Sequence, residues 1–241
     1  MIFIKNFLFF LSIISIFSCS DEHKKQDLSN IDYDAHKKAK IENPLSESIN
    51  HKSSIEEVDM NVLYPDDMFI GKKDAPVKVI FFFSSTCPAC AYFFKQIIPQ
   101  IKSDFVDKKK VLLIFRESIH SQKELIASIL ARCTGNIEDY LKFMHIALGQ
   151  QNQWVLSKNY YSYFSNVAKL HWNEEGKITQ CLENKDLRYK LFHKSYNMQK
   201  SFSIKYSPSW IINGELYDMN GYKNYQSIAK KIEQSLKNKS K

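Results

Sequence analysis

Cys87-Pro88-Ala89-Cys90 constrains this chain more than any other feature. It follows an apolar run, Val77 to Phe83, and opens an amphipathic stretch with Phe93, Phe94, Ile97, Ile98, Ile101 and Phe105 on one face. A strand that feeds Cys-x-x-Cys into the start of a helix is a redox arrangement. The two thiols lie one helical turn apart, close enough to bridge. Cys87 falls at the helix N-terminus, where unpaired backbone N–H groups and the positive end of the dipole favour a thiolate. A stabilised thiolate is a good leaving group in thiol–disulfide exchange. The pair is therefore expected to swap disulfides with a second molecule.

The chain carries a targeting segment ahead of this motif. Lys5 is a one-charge start, and Phe7 to Phe17 is an apolar stretch of signal-peptide length, too short for a comfortable membrane span. Ile16-Phe17-Ser18-Cys19 is similar to the bacterial lipobox, in which a small residue precedes a cysteine that becomes lipidated. Phe17 fits that pattern poorly. Lipidation of Cys19, ordinary cleavage and an uncleaved anchor all stay open, and each places the remainder outside the cytosol, where disulfides persist. If Cys19 carries lipid, four of the five cysteines remain: Cys87, Cys90, Cys133 and Cys181.

Charge raises the question of nucleic acid, because the net value is +8. Only three of the 34 basic residues are arginine (Arg116, Arg132, Arg188), and arginine is the side chain suited to forked phosphate and base contacts. The lysines are scattered, so a solvated basic surface is the expectation and nucleic acid is not a partner.

The organisation reads as a leader over 1–18, a polar tether over 19–59, and a folded part in three pieces, 60–118, 119–202 and 203–241. The tether is charged and poor in aromatics. The first folded piece holds the strand, the long helix ending near Val106, and a second buried strand, Val111 to Phe115, a βαβ order. The middle piece is all helical text, opening on a capping box, Ser121-x-x-Glu124, with further helices over 138–149, 158–170, 174–183 and 186–202. In the last piece Trp210-Ile211-Ile212 meets Asn213-Gly214, a two-residue hairpin signal, then Glu215-Leu216-Tyr217 and a closing amphipathic helix. The fold class is α/β, laid out βαβ, helical insertion, ββα.

This chain resembles the DsbA family of thioredoxin-fold disulfide oxidoreductases over roughly Met60 to Leu236. Three features carry the resemblance together: the Gly-x-x-Asp-Ala-Pro-Val approach (71–77) into a strand and Cys-Pro-Ala-Cys, the helical insertion, and Ser207-Pro208 ahead of the final hairpin. The resemblance implies a thioredoxin fold with an inserted helical subdomain, and an extracytoplasmic enzyme of the bacterial periplasm or envelope that introduces disulfides into reduced or unfolded secreted proteins. It implies Cys87 and Cys90 as catalytic thiols, with Pro208 in cis against them. Proline there offers no N–H, and the space it fills denies the thiols a metal. Ser207 would present its backbone to an extended substrate. Pro88 suits the first helical turn, and the position of Ala89 tunes oxidising power; the absence of a histidine there implies a less oxidising site. A second, non-catalytic bridge between Cys133 and Cys181 is implied too, worth roughly 4 kcal/mol by loop-closure entropy. A quinone-linked membrane oxidase is the implied recharging partner, and no cofactor is expected.

The chain departs from the wider thioredoxin pattern at Phe81, where such enzymes often keep a buried acid as proton relay for the second cysteine. Proton transfer at Cys90 must use water or another group. Isomerase or reductase activity on the same fold stays open; an isomerase needs paired sites, which the tether could supply by oligomerisation. Tyr92 and Trp210 are either core or a contact surface for unfolded chain. A cysteine-rich metal module is disfavoured, because Cys133 and Cys181 are single cysteines far from any second knuckle.

Overall fold

Val77–Phe83 forms a seven-residue strand that is almost wholly buried, and the rest of the fold is arranged around it. In the computed structural model the described residues are Asp59, 62–172, 175–217 and 224–239. The expected leader, Cys19 with its expected lipidation and, apart from Asp59, the expected tether fall outside them. Five strands form one sheet: β1 (Met68–Ile70), β2 (Val77–Phe83), β3 (Val111–Glu117), β4 (Ser209–Ile212) and β5 (Glu215–Tyr217), in the order β1-β3-β2-β4-β5. β2 and β3 run parallel, Val77 opposite Val111 through Phe83 opposite Glu117. The other pairings are antiparallel.

The continuous apolar text of β2 is explained by burial on both faces. Val77, Val79, Phe81 and Phe83 join one core with the helix that follows Cys87. Ile80 and Phe82 face a second core with Leu112, Ile114, Ile211, Met198 and Phe202. Phe81, Phe82 and Phe83 are fully buried, each contributing on the order of 2–3 kcal/mol of transfer free energy. β1 has no counterpart among the elements expected from the sequence. Its three residues pair with β3 at the sheet edge, and they are too few to display alternation. Gly71, at φ 103°, closes this edge; a Cβ there would meet the Val111 carbonyl oxygen at 2.5 Å.

The active-site helix is not uniform. It runs as α1 (Pro88–Tyr92), a π turn (Phe93–Ile97), α2 (Ile98–Ile101) and a second π turn (Lys102–Val106). Pro99 accounts for the first π turn, since it has no N–H for the Lys95 carbonyl and its ring would strike it. The helix widens instead, and the Ile98 N–H reaches the Phe93 carbonyl. Apolar packing at Phe93, Phe94, Ile97, Ile98 and Ile101 carries the helix across the interruption.

The insertion comprises α3 (Gln122–Arg132), α4 (Ile137–Gly149), α5 (Gln151–Trp154), α6 (Tyr160–Trp172), α7 (Glu175–Glu183) and α8 (Lys185–Ser201). α9 (Tyr225–Lys239) closes the fold, with Ile228 and Ile232 in the first core. Asn213 and Gly214 both take positive φ, 47° and 84°, as a primed two-residue hairpin requires. Cys133, capping α3, is disulfide-bonded to Cys181 of α7 across 48 residues. Replacing both by alanine is expected to cost about 4 kcal/mol, chiefly through the unfolded chain, read as a lower urea midpoint with a steeper slope, because the freed unfolded chain exposes more surface.

Candidate active site

The end of β2 delivers the chain into Ser84-Ser85-Thr86 and then Cys87, which caps α1 with an extended backbone (φ −81°, ψ 119°). Its Sγ accepts the Cys90 N–H at 3.3 Å, and its carbonyl accepts the Ala91 N–H at 3.1 Å. Pro88 follows at the first helical position, where a missing N–H costs no hydrogen bond. Cys87 is partly exposed and Cys90 fully buried, and neither is bonded to another cysteine.

The two thiols are driven in opposite directions. Hydrogen bonding from the Cys90 thiol, helped by the N–H groups of Cys90 and Ala89, brings Cys87 down to about 6, against the upward push of burial and of the Glu124 charge. Burial pushes the Cys90 thiol far above the ordinary thiol range, and the hydrogen bond to Cys87 and that neighbour's charge push the same way. One sulfur is thus an anion at neutral pH and the other a shielded thiol.

Sheet register brings the second half of the fold to this point. Phe81 pairs with Trp210 and Phe82 with Ser209, so the segment before β4 lies beside the residues that leave β2. The Ser207–Pro208 peptide bond is cis. The Cys87 thiol, when protonated, donates to the Ser207 carbonyl at 3.3 Å. Cys87, Cys90, Pro88, Ala89, Ser207 and Pro208 therefore gather at one place, while Cys133 and Cys181 are joined to each other in the insertion. Of the two aromatics singled out, Trp210 is core, packed on Phe81 and Phe93, while Tyr92 is 53% exposed beside the site. Tyr206, exposed as well, stands just ahead of Ser207.

Two side chains of the insertion touch the site without having announced themselves in sequence. The Gln151 amide donates to the carbonyls of Ser85 (2.8 Å) and Cys87 (3.0 Å). Glu124 is buried behind the Ser84–Thr86 loop; Oε1 accepts from the hydroxyls of Thr86 (2.6 Å) and Ser84. Oε2 accepts the His120 N–H at 2.7 Å and the Ser121 hydroxyl at 3.0 Å. The signal for Glu124 was the acid missing at Phe81, set beside an acid inside a capping box; nothing local pointed to Gln151.

A partly exposed, acidified cysteine over a buried one, at the N-terminus of a helix and against a cis-proline loop, defines a thioredoxin-fold thiol:disulfide oxidoreductase. The sequence pattern described as Thioredoxin matches residues 64–232, and the chain belongs to that family. A protein of Rickettsia bellii named as a protein-disulfide oxidoreductase is 34% identical over 177 residues, 72% of this chain and 67% of that protein. One of Rickettsia prowazekii, named likewise, is 33% identical over 149 residues, and the match spans 62% of this chain but only 55% of that longer protein. Among solved structures, alpha-DsbA1 of Wolbachia pipientis superposes with a TM-score of 0.66 at 23% identity, over 77% of this chain and 97% of its own. The fold is thus that of the DsbA-type members, helical insertion included.

Proposed function

We propose that this protein introduces disulfides into reduced proteins outside the cytosol by dithiol exchange at Cys87 and Cys90. A substrate thiolate attacks Cys87 Sγ of the oxidised pair. A bond forms between the two molecules, the Cys87–Cys90 bond breaks, and Cys90 leaves and takes up a proton. The substrate's second thiolate then attacks its own sulfur in the mixed disulfide, closing the substrate's bond and expelling Cys87 as a thiolate. Two electrons move from substrate to enzyme, and an external oxidant must recharge the pair; a quinone-linked membrane oxidase is the candidate.

One observation carries this reading: Cys87 is partly exposed with its Sγ accepting the Cys90 N–H at 3.3 Å, while Cys90 is fully buried, an arrangement that draws Cys87 down to about 6 and pushes Cys90 far above it. A stable Cys87 thiolate stabilises the reduced form, and so makes the oxidised form a donor of its disulfide. The Ser207–Pro208 backbone beside Cys87 is suited to an extended substrate segment. Location in the periplasm or envelope is supported by the apolar leader and by the Cys133–Cys181 bridge, which favours an oxidising compartment. None of the described helices is long and apolar enough to cross a membrane.

The test is a thiolate titration of the reduced protein at 240 nm, paired with equilibration in glutathione buffers. The absorbance is expected to rise with a midpoint near pH 6. Because the folded value lies below the unfolded one, the reduced form's extra stability is complete above the ordinary thiol value, near 9.0, and is lost as pH falls through about 6. The oxidised form has no thiol to titrate, so the reduced-minus-oxidised stability gap should narrow as pH falls through that window and widen as it rises. A midpoint above 8, or a potential as low as a cytosolic reductant's, would contradict the donor role.

A further inference from the structure

Glu124 occupies a position that the exchange cycle as written leaves unused. It comes from α3, the first helix of the insertion, yet its carboxylate is buried at 3% exposure against the loop that presents Cys87. Every lone pair it turns to the protein is spoken for: two hydroxyls on Oε1, a backbone N–H and a hydroxyl on Oε2. Four donors and no acceptor are the surroundings of a carboxylate anion. A capping box needs far less. There the acid returns to the cap's own N–H; here Oε2 takes the N–H of His120, one residue earlier, and Oε1 is free to hold a second element.

The charged and titratable neighbours are few, and they are turned elsewhere. On α3 the Lys123 ammonium points to the carbonyls of Val155 and Ser157. From the β3–α3 loop the His120 ring is engaged with the Ser118 hydroxyl, leaving only its backbone N–H on Glu124. Across the active-site helix, Lys95 and His145 line a separate cleft beside Ala91. Facing Glu124 over the Ser84–Thr86 loop are the two thiols, and its charge acts on both of them. No cation pairs with it among these contacts, so its field on the sulfurs is not cancelled by an ion pair.

We propose that Glu124 is a positioning residue for the exchange reaction: it grips the Ser84–Thr86 approach to Cys87 and sets one fixed negative charge behind both sulfurs, which limits how strongly oxidising the site becomes. This rests on Cys87 being the exchanging thiol. The anion opposes a thiolate on Cys87, so it works, with burial, against the Cys90 thiol and the helix N–H groups that favour one. It also disfavours an anion on Cys90, keeping that sulfur protonated until it is called on in the exchange. With Phe81 buried where a relay acid would otherwise sit, the carboxylate whose charge acts on the pair comes from the insertion instead of from the central strand.

The experiment uses the reduced full chain, with Glu124→Gln and Thr86→Val measured beside the unaltered protein by 240-nm titration and glutathione equilibration. Removing the charge in Glu124→Gln should lower the Cys87 midpoint by about half a pH unit and shift the glutathione equilibrium about threefold in the oxidising direction. Thr86→Val keeps the charge but strips a donor that partly neutralises it, so its midpoint should move up. A role confined to holding the loop predicts movement of both variants in the same direction, and that result, or no movement in either, overturns the proposal. If Glu124→Gln does not fold, the sign of the Thr86→Val shift decides alone, a downward or absent shift counting against it. Failure of the functional reading looks different: the unaltered protein itself would titrate above pH 8.

Discussion

Cys87→Ser is expected to abolish disulfide transfer to a reduced test protein, a loss of at least ~1,000-fold, while Cys90→Ser, which has no internal disulfide to donate, couples to a protein disulfide and stays coupled. The asymmetry follows from the environments of the two sulfurs. Cys87 is the partly exposed one, held by the Cys90 N–H at 3.3 Å and acidified to about 6. A serine hydroxyl at that cap keeps the hydrogen bond but neither ionises at neutral pH nor exchanges with sulfur. Cys90 is fully buried and its thiol is held protonated. It cannot meet a protein substrate directly; it can only re-form the internal bond and release complexes that stall. Offered a disulfide-bonded protein, the Cys87 thiolate of Cys90→Ser attacks one sulfur and expels the other as a thiolate; with no Cys90 to break the new bond, the mixed disulfide should build up and be visible on non-reducing gels, with alkylation at Cys87 unimpaired. Equal loss in both variants with no trapped complex would assign the wrong sulfur to the substrate. Because Ser and Cys differ little in volume, the folded state should be preserved in both variants, and circular dichroism checks it.

Much of the fold was legible because its strongest elements carry their information locally. The β2 run is apolar at nearly every position since both faces are covered, and the Asn213-Gly214 turn needs two positive φ angles that those residues readily supply. The site was legible for the same reason: strand, Cys-x-x-Cys and helix are contiguous, and Ser207-Pro208 is brought in by the pairing of β4 with β2. What was not legible lies between segments distant in sequence. β1 is too short to show a period. The π turns depend on how apolar packing holds the helix together past Pro99. Glu124 satisfied a local capping pattern that hid its long-range contact with Ser84, 40 residues away. The pairing of Asp67 with Arg116, 49 residues apart, leaves no trace in either neighbourhood.

That ion pair leads to the largest stability change expected of this fold. Arg116 of β3 and Asp67, just before β1, are 2% and 0% exposed. The guanidinium donates to both carboxylate oxygens, at 3.1 and 2.7 Å, and to the Val62 carbonyl at 2.7 Å. The same carboxylate accepts the Tyr64 N–H at 2.8 Å and lies 3.2 Å from the Lys194 ammonium of α8. Tyr64 is held beneath both cations, 5.0 Å from the Arg116 guanidinium and 4.7 Å from Lys194. One carboxylate thus ties the segment before β1, the sheet and the last insertion helix together. Asp67→Ala leaves a buried guanidinium with no counter-ion and a backbone N–H with no acceptor. Breaking such a pair from one side costs about 5 kcal/mol at the upper end, comparable with the whole stability of a small domain. Replacing both partners, Asp67→Leu with Arg116→Met, should cost far less, because desolvation of the charges disappears together with their attraction. Urea unfolding of the two variants checks this: a large fall in midpoint for Asp67→Ala, substantially recovered in the double variant. If the single variant loses under about 1 kcal/mol, the pair behaves like a solvent-screened surface contact, and the anchoring of the segment before β1 must come from the apolar contacts of Leu63, Tyr64 and Phe69 with the second core.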